Sequence, residues 1–277
     1  MRSTSSPFTD LSQVKGPLYA SADRITQRTS VLHRTRVSGH HAADVIADLA
    51  ARATGQPIGA AVDIGCGRGT TTCLLARRLP QWNITAVDLS AALLAVARSR
   101  SAGAALSAVR ADFHHLPFAS ASCNLAVAAF CLYHSPDPGQ VITEITRCLK
   151  PGGTFITAVK SAESYRELDH IMARSGLDPA ALERPSLYQT AHSGNIEQIT
   201  AASLTVKQVF KETHQFRFPA LADVAEYLAT SPKYELPPSV TGQTDSLAAA
   251  LRRRLPDTPV TATSVVTYLT AIREASP

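Results

Sequence analysis

Between residues 60 and 159 the chain alternates short apolar runs with segments of helical spacing. The runs are 60–64 (AAVDI), Ile84 to Val87, Leu106 to Val109, Leu125 to Leu132 and Thr154 to Val159, and none shows a regular polar alternation. Strands apolar on both faces are buried on both faces, so the pattern predicts a parallel sheet with helices on either side. Right-handed crossovers then give an α/β, doubly wound, Rossmann-like fold. The intervening helices are predicted over 70–79, stopped by Pro80, over Ala91 to Arg100 with Ser90 as N-cap, and over 138–149, broken at Pro151-Gly152-Gly153.

On either side of this core the rhythm changes. Residues 22–34 and 39–54 have helical spacing, the second with Ala42, Val45, Ile46, Leu49 and Ala50 on one face. After the fifth run, 161–174 and parts of 175–203 are predicted helical. Thr205 to Phe218 reads as a strand, 220–254 as interrupted helix, and the β-branched Val260 to Thr270 as a last strand. The predicted organisation is a mobile N-terminus over 1–18, a helical cap over 19–56, and one main domain over 57–277 carrying helical lid insertions at about 175–203 and 220–258.

Composition narrows the function classes. The 277 residues are 45% hydrophobic and 18% charged, enough to bury a substantial core. The net charge is +5, yet the basic residues are scattered and the densest cluster is Arg252, Arg253 and Arg254. Without a basic stripe and stacking aromatics, no nucleic-acid partner is expected. No stretch approaches the about 18 apolar residues of a membrane span, and MRSTSSPFTD has no apolar leader segment, so no membrane partner is expected. Five cysteines without a CxxC pair predict free thiols and a cytoplasmic location, and no His/Cys/Asp set has metal-ligand spacing, so the predicted metal content is none.

The turn after the first run is Asp63-Ile-Gly65-Cys-Gly67-Arg-Gly69-Thr70. Glycines there let the backbone turn sharply and approach a ligand. A dinucleotide site needs GxGxxG, but here the spacing is GxGxG with Thr70 at the third position, and the GxxxxGK[ST] of a P-loop is absent. An acid two residues before the first glycine suits a ligand with a positively charged amino-acid end, such as S-adenosylmethionine. Asp88 follows the second strand, 19 residues after Gly69, and can accept from ribose hydroxyls, with Leu89 packing on an adenine. Asp112 and Phe113 follow the third strand and can accept from and line an adenine ring.

These residues resemble the class I S-adenosylmethionine-dependent methyltransferases, in particular the small-molecule enzymes of ubiquinone and menaquinone biosynthesis. The matching segments are AAVDIGCGRGTTT, AVDLS, ADFHHLPFASASCNLAVAAFCLYHSPDP and ITRCLKPGGTFITAV, spanning roughly 58–160. The resemblance implies that Asp63, Gly65 and Gly67, with Cys66 in the same turn, hold the methionine end. Asp88 would hold the ribose, with Leu89, Asp112 and Phe113 around the adenine. Phe130 would offer its carbonyl to the methionine ammonium, and His134 would face the methyl group and the acceptor. It also implies strand order 3-2-1-4-5-7-6 with the last strand antiparallel, and it leaves room for a homodimer.

His134 is the candidate base, since an imidazole suits proton acceptance at neutral pH; the alternative is that it only shapes the backbone. His114 and His115 adjoin the adenine-side loop and are expected to be solvated. His170, His192 and His214, with Tyr165, Tyr188, Tyr227 and Tyr234, are candidates for a substrate pocket, though aromatics at helical spacing are more often core. Cys131, inside an apolar run, reads as packing rather than as a nucleophile. The leading functional expectation is methylation of oxygen, nitrogen or carbon on a small-molecule acceptor, with S-adenosylhomocysteine as product, in specialised (natural-product) biosynthesis. The alternatives are an RNA or protein methyltransferase, and a non-methylating S-adenosylmethionine-binding protein.

Overall fold

A computed structural model describes residues 6–101 and 106–275. The eight strands are β1 (Arg36–Ser38), β2 (Ala60–Ile64), β3 (Asn83–Asp88), β4 (Ser107–Arg110), β5 (Cys123–Ala129), β6 (Leu149–Lys160), β7 (Thr205–Phe218) and β8 (Val260–Ile272). Their order in the sheet is β1-β7-β8-β6-β5-β2-β3-β4. Read from the other edge, this is the expected 3-2-1-4-5-7-6 with one strand added at the end. The added strand, β1, has only three residues and pairs antiparallel with Phe216 and Gln215. Three residues are too few for a period-2 pattern, which is why the sequence hides it. β2, β3, β4, β5 and β6 pair parallel, and β8 runs antiparallel to β6.

Two expected boundaries shift. β5 ends at Ala129 because Phe130 adopts φ 56°, a left-handed conformation that ends the strand three residues before Leu132. β6 begins at Leu149 and runs through Pro151-Gly152-Gly153, since Gly152 donates to the carbonyl of Arg273 and Arg273 donates to that of Gly153. Within 161–203 only Arg166–Ser175 and Ile196–Ala201 are α-helical, and 220–254 resolves into Leu221–Leu228 and Thr244–Arg252.

By internal packing the chain divides into two compact units. The first comprises 1–39, 161–189 and 212–265, the second 40–160, 190–211 and 266–277. The helix Asp23–Thr35 falls in the first unit and Ala42–Ala53 in the second, so the cap expected over 19–56 is divided between them. Of the N-terminal stretch expected to be mobile, 1–5 lie outside the described residues, while Phe8 and Leu18 are buried.

The first unit buries Val31, Leu168, Met172, Phe218, Leu221, Leu228 and Leu251 together with Tyr165 and Tyr227. The tyrosines therefore serve as core: Tyr165 sits 5.5 Å from Phe216 and 5.4 Å from Tyr227, ring centre to ring centre. In the second unit the helix Ala42–Ala53 turns Ile46, Leu49 and Ala50 onto a core with Leu75, Leu79, Trp82, Leu125 and Ile156. Each such large side chain contributes about 1.5–3 kcal/mol on burial. The helix Pro138–Cys148 opens on Asp137, whose carboxylate accepts from the Gly139 and Gln140 amides, and it buries Val141, Ile142 and Ile145. These two helices fix the sheet whose carboxyl ends carry the site.

Candidate functional site

The parallel register brings the carboxyl ends of β2, β3, β4 and β5 to one edge of the second unit, where doubly wound sheets bind ligands. Asp63 is the penultimate residue of β2, Asp88 the last of β3, Asp112 two residues beyond β4, and Phe130 immediately beyond β5.

The turn from β2 into the helix Thr70–Arg78 needs its glycines. Gly65 has φ 63°, and a Cβ there would lie 2.5 Å from Cβ of Cys131. Gly69, the residue before the helix, has φ 75°, and a Cβ would lie 2.7 Å from Cβ of Ala97 on the helix Ala91–Arg100. Gly69 thus allows the close packing that a GxGxxG turn assigns to its third glycine, one position earlier than that pattern expects.

Asp88 organises the same turn. Its Oδ2 accepts from the Gly67 amide at 2.9 Å and its Oδ1 from the Ser90 amide at 2.8 Å. Burial pushes its carboxyl up, and these amide bonds oppose that. Ser90 caps the following helix by accepting from the Leu93 amide at 3.2 Å. Each Asp88 oxygen keeps a lone pair for a ligand hydroxyl.

Asp63 is 1% exposed and lies under the turn rather than on its surface. Thr72 Oγ1 donates to its Oδ2 at 2.5 Å. Burial pushes the Asp63 carboxyl up to about 7, the nearby Asp88 charge adds to this, and the Thr72 bonds pull the other way. Among the described residues no cation pairs with it. A buried acid without a counter-charge, below a glycine turn, suits a ligand cation bound at that turn.

The thiols are structural in character. Cys66 donates its amide to the carbonyl of Val87 at 2.9 Å, and burial pushes its thiol far up. Cys131 contacts the Ile64 carbonyl through sulfur at 3.2 Å, and burial pushes its thiol far up as well. Neither is a thiolate nucleophile at neutral pH.

On the adenine side Asp112 accepts twice from His114, at 3.0 Å from the amide and 2.7 Å at Nδ1. Burial raises the Asp112 carboxyl, but the His114 bonds outweigh it and hold the group below the usual carboxylate range. His114 is therefore not solvated as expected: its Nε2 lies 2.9 Å from Oγ of the wholly buried Ser135. His115 is exposed, in keeping with the expectation. Leu89 and Phe113 are half-buried. Phe130 donates its amide to the Ala158 carbonyl at 2.8 Å, and Lys160 Nζ lies 5.8 Å from its ring centre. His134 ends a single 3-10 turn, Leu132–His134, and is half-buried with its ring 4.8 Å from that of Tyr133.

Sequence reasoning missed Thr72, Ser135, and the pair Glu144 and Arg147. The last two lie on the helix Pro138–Cys148 and bind the loop after Asp112 through the Leu116 amide and the Leu116 and Phe118 carbonyls. The only signals were Asp112-x-His114 and Ser135-x-Asp137, spacings typical of side chains that bond a backbone amide two residues on. Of the remaining histidines, His170 is exposed, His192 half-buried, and His214 buried in the first unit, 2.9 Å from Glu212. Among the described residues no group of three His, Cys, Asp or Glu is placed to hold a metal ion, and no helix is long and apolar enough to cross a membrane.

Comparisons with known proteins agree with this geometry. Residues 62–157 match the model of a methyltransferase domain family. The chain is 36% identical over 132 residues to a malonyl-[acyl-carrier protein] O-methyltransferase of Alcanivorax borkumensis, covering 47% of this chain and 45% of that one. It is 35% identical over 137 residues to a trans-aconitate 2-methyltransferase of Azoarcus sp., covering 48% and 51%. The chain spans about half the length of these curated relatives. Among solved structures the [4+2]-cyclase SpnF shares the fold with a TM-score of 0.57 at 20% identity, over 97% of each chain. The segment that supplies the glycine turn, the three acids and His134 thus lies within the stretch that matches the methyltransferase domain family.

Proposed function

We propose that this chain transfers the methyl group of S-adenosylmethionine to a small-molecule acceptor. One observation carries the proposal: three acids stand at the carboxyl ends of three adjacent parallel strands, around a turn in which Gly65 and Gly69 leave no room for a Cβ. The donor set is acceptor-rich and suits an ammonium, two ribose hydroxyls and an adenine amino group. When bound, the cofactor would supply a methyl carbon already activated by a sulfonium. The residues that would hold it are Gly65, Cys66 and Gly67 with the Phe130 carbonyl at the methionine end, and Asp63 below them as counter-charge. Asp88 with Leu89 would hold the ribose side, and Asp112 with Phe113 the adenine.

For an in-line displacement of this kind the protein mainly supplies alignment, which contributes about 7–11 kcal/mol. His134, in the 3-10 turn beyond β5, is our candidate to accept a proton from an acceptor that carries one, an effect worth about 10²- to 10⁴-fold in rate. The matched relatives are named for acting on malonyl-[acyl-carrier protein] and trans-aconitate, each of which carries a free carboxyl group. A carboxylate-bearing acceptor is therefore the first class to try. The alanine-rich, arginine-over-lysine composition supports a place in natural-product biosynthesis.

A second reading comes from the fold alone: of the solved structures that cover 97% of the chain, one is named a cyclase and another a geranyl diphosphate C-methyltransferase. Fold alone does not settle chemistry, and on this reading the cofactor is bound but not consumed. Calorimetric titration with S-adenosylmethionine and with NAD, followed by detection of S-adenosylhomocysteine in the presence of carboxylic-acid acceptors, tests both. Micromolar binding of S-adenosylmethionine alone, weakened in Asp88→Asn, with product formed, supports methyl transfer. Binding without product on any acceptor favours the second reading, and no binding overturns both.

A further inference from the structure

The loop 112–118 is held by side-chain hydrogen bonds at both ends. At one end Asp112 Oδ1 receives both the amide and the ring Nδ1 of His114. At the other end Glu144 accepts from the Leu116 amide at 2.8 Å, and Arg147 donates to the Leu116 and Phe118 carbonyls at 3.1 and 2.8 Å. Between them the His114 ring meets the Phe113 ring edge-on, centres 4.7 Å apart. Its far nitrogen, Nε2, reaches Ser135 Oγ at 2.9 Å. Ser135 Oγ also accepts from the Asp137 amide at 3.0 Å, and the Ser135 amide donates to the Leu132 carbonyl. All these residues belong to the second unit.

The proton arrangement follows from the partners. Nδ1 faces a carboxylate and must donate, so in the neutral ring Nε2 accepts from the Ser135 hydroxyl. The hydroxyl then spends its proton on His114 and a lone pair on Asp137, and the chain of bonds is complete. Acid, imidazole and hydroxyl stand in the order of a nucleophilic triad. Ser135, however, is wholly buried and already holds the turn, so no substrate carbon can reach it. What this chain of bonds transmits is position.

We propose that His114 is a positioning residue for the adenine end of the cofactor: it fixes the Asp112 carboxylate and the Phe113 ring and ties both to the Ser135 turn that follows His134. The inference rests on the cofactor reading given above. Both His114 bonds fall on Oδ1 of Asp112 and orient the carboxylate, leaving Oδ2 to accept from the exocyclic amino group of the base. Without the ring, Asp112, whose side chain is 35% exposed, keeps only the His114 amide on Oδ1 and gains rotational freedom, which must be lost again on binding. A group held by its supporting shell binds without that cost. Because Ser135 is next to His134 in the chain, the same ring links cofactor recognition to the segment that carries the candidate base.

The test is equilibrium binding of S-adenosylhomocysteine and of its deaminated analogue S-inosylhomocysteine to the full chain, wild type and His114→Ala. The analogue has a carbonyl where adenine has its amino group, so only the first ligand can donate to Asp112 from the exocyclic position. The wild type is expected to prefer S-adenosylhomocysteine by at least about tenfold. His114→Ala is expected to lose most of that preference, by weakening S-adenosylhomocysteine about five- to twentyfold while leaving the analogue within about twofold. His114→Asn, which restores a donor near the Nδ1 position, is expected to recover part of the preference, and it serves as the test should the alanine variant not fold.

If the wild type binds neither ligand, the cofactor reading itself falls. If the wild type binds and discriminates but His114→Ala keeps the full preference, the positioning role is overturned while the cofactor reading stands. An equal loss for both ligands, accompanied by a lower melting temperature, also overturns it and leaves His114 as a purely structural residue.

Discussion

The Thr72 hydroxyl donates a 2.5 Å hydrogen bond to the Asp63 carboxylate, and neither side chain is more than 1% exposed. This pair sits under the glycine turn, and its energetics are unusual for an acid. Burial, with the Asp88 charge in addition, pushes the Asp63 carboxyl up to about 7, and the Thr72 hydroxyl and amide bonds offset only part of this. The folded protein therefore holds an acid whose ionised form is costly. That cost makes the turn responsive to a cation.

The first consequence is for stability. The folded value near 7 lies above the unfolded 3.8, so the native state binds the extra proton in between. Stability from the protonated form is fully present below about pH 4 and is lost as pH rises through about 7. Asp63→Asn removes the titration while keeping an acceptor for Thr72. It is expected to melt several degrees above the wild type at pH 8, on the order of 2 kcal/mol, with the gap closing toward pH 5. Thermal melts of both proteins at pH 5 and pH 8 check this, and equal melting points at pH 8 would count against the buried charge.

The second consequence is for cofactor binding. A ligand ammonium at the turn favours ionised Asp63, so binding must expel the proton below about pH 7. Affinity for S-adenosylmethionine is expected to fall up to about tenfold between pH 7.5 and pH 6, a range in which the ligand amine stays largely protonated. Asp63→Asn should bind more weakly at pH 7.5 and lose this slope. Calorimetry in two buffers of different ionisation enthalpy reads the proton release directly. A flat profile in the wild type would place the ammonium away from Asp63.

Two glycines with nearly the same backbone conformation separate strain from contact. Gly69 has φ 75° and would bring a Cβ to 2.7 Å from Ala97, whereas Gly152 has φ 76° and open space around it. Gly152→Ala is expected to cost only the left-handed conformation, about 1–2 kcal/mol. Gly69→Ala adds overlap between two helices, about 1–3 kcal/mol more. It should also weaken S-adenosylmethionine, because the turn must shift. Chemical denaturation of both variants beside the wild type gives the difference, and equal losses would show that the Gly69–Ala97 approach is not tight.

These contrasts mark what the sequence could and could not reveal. The alternation of apolar runs and helical segments made the sheet legible, down to Ser90 as a cap and β8 as a last strand, because burial on both faces leaves a direct imprint on composition, whereas the antiparallel direction of β8 was implied only by the family resemblance. The acids at the strand ends were legible for the same reason, since their spacing follows from strand and helix lengths. β1 was not, because three residues carry no periodicity. The role of His114 was hidden too. Its partners Asp112 and Ser135 come together only when β4 and β5 are laid in one sheet with β2 and β3 between the first and the last, and no local pattern records that. Phe130 shows the reverse case, where an apolar run continued in sequence while a left-handed residue ended the strand.

His134 is where position and chemistry can be told apart. It closes the 3-10 turn beyond β5, half-buried, next to the residue that binds His114. If it accepts a proton from the acceptor, His134→Ala is expected to lower kcat about 10²-fold or more, while the Kd for S-adenosylmethionine changes less than about threefold. The wild-type kcat should then rise with pH along an imidazole titration, and the variant should lose that limb. If His134 only shapes the turn, the alanine variant should lose cofactor affinity and melting temperature together, and His134→Asn should restore both without any pH-dependent step. Steady-state kinetics from pH 5.5 to 8.5, with S-adenosylhomocysteine release as the signal, distinguish the two. Unchanged turnover in His134→Ala would remove it from the mechanism altogether and point to an acceptor that needs no base, such as a carboxylate already ionised.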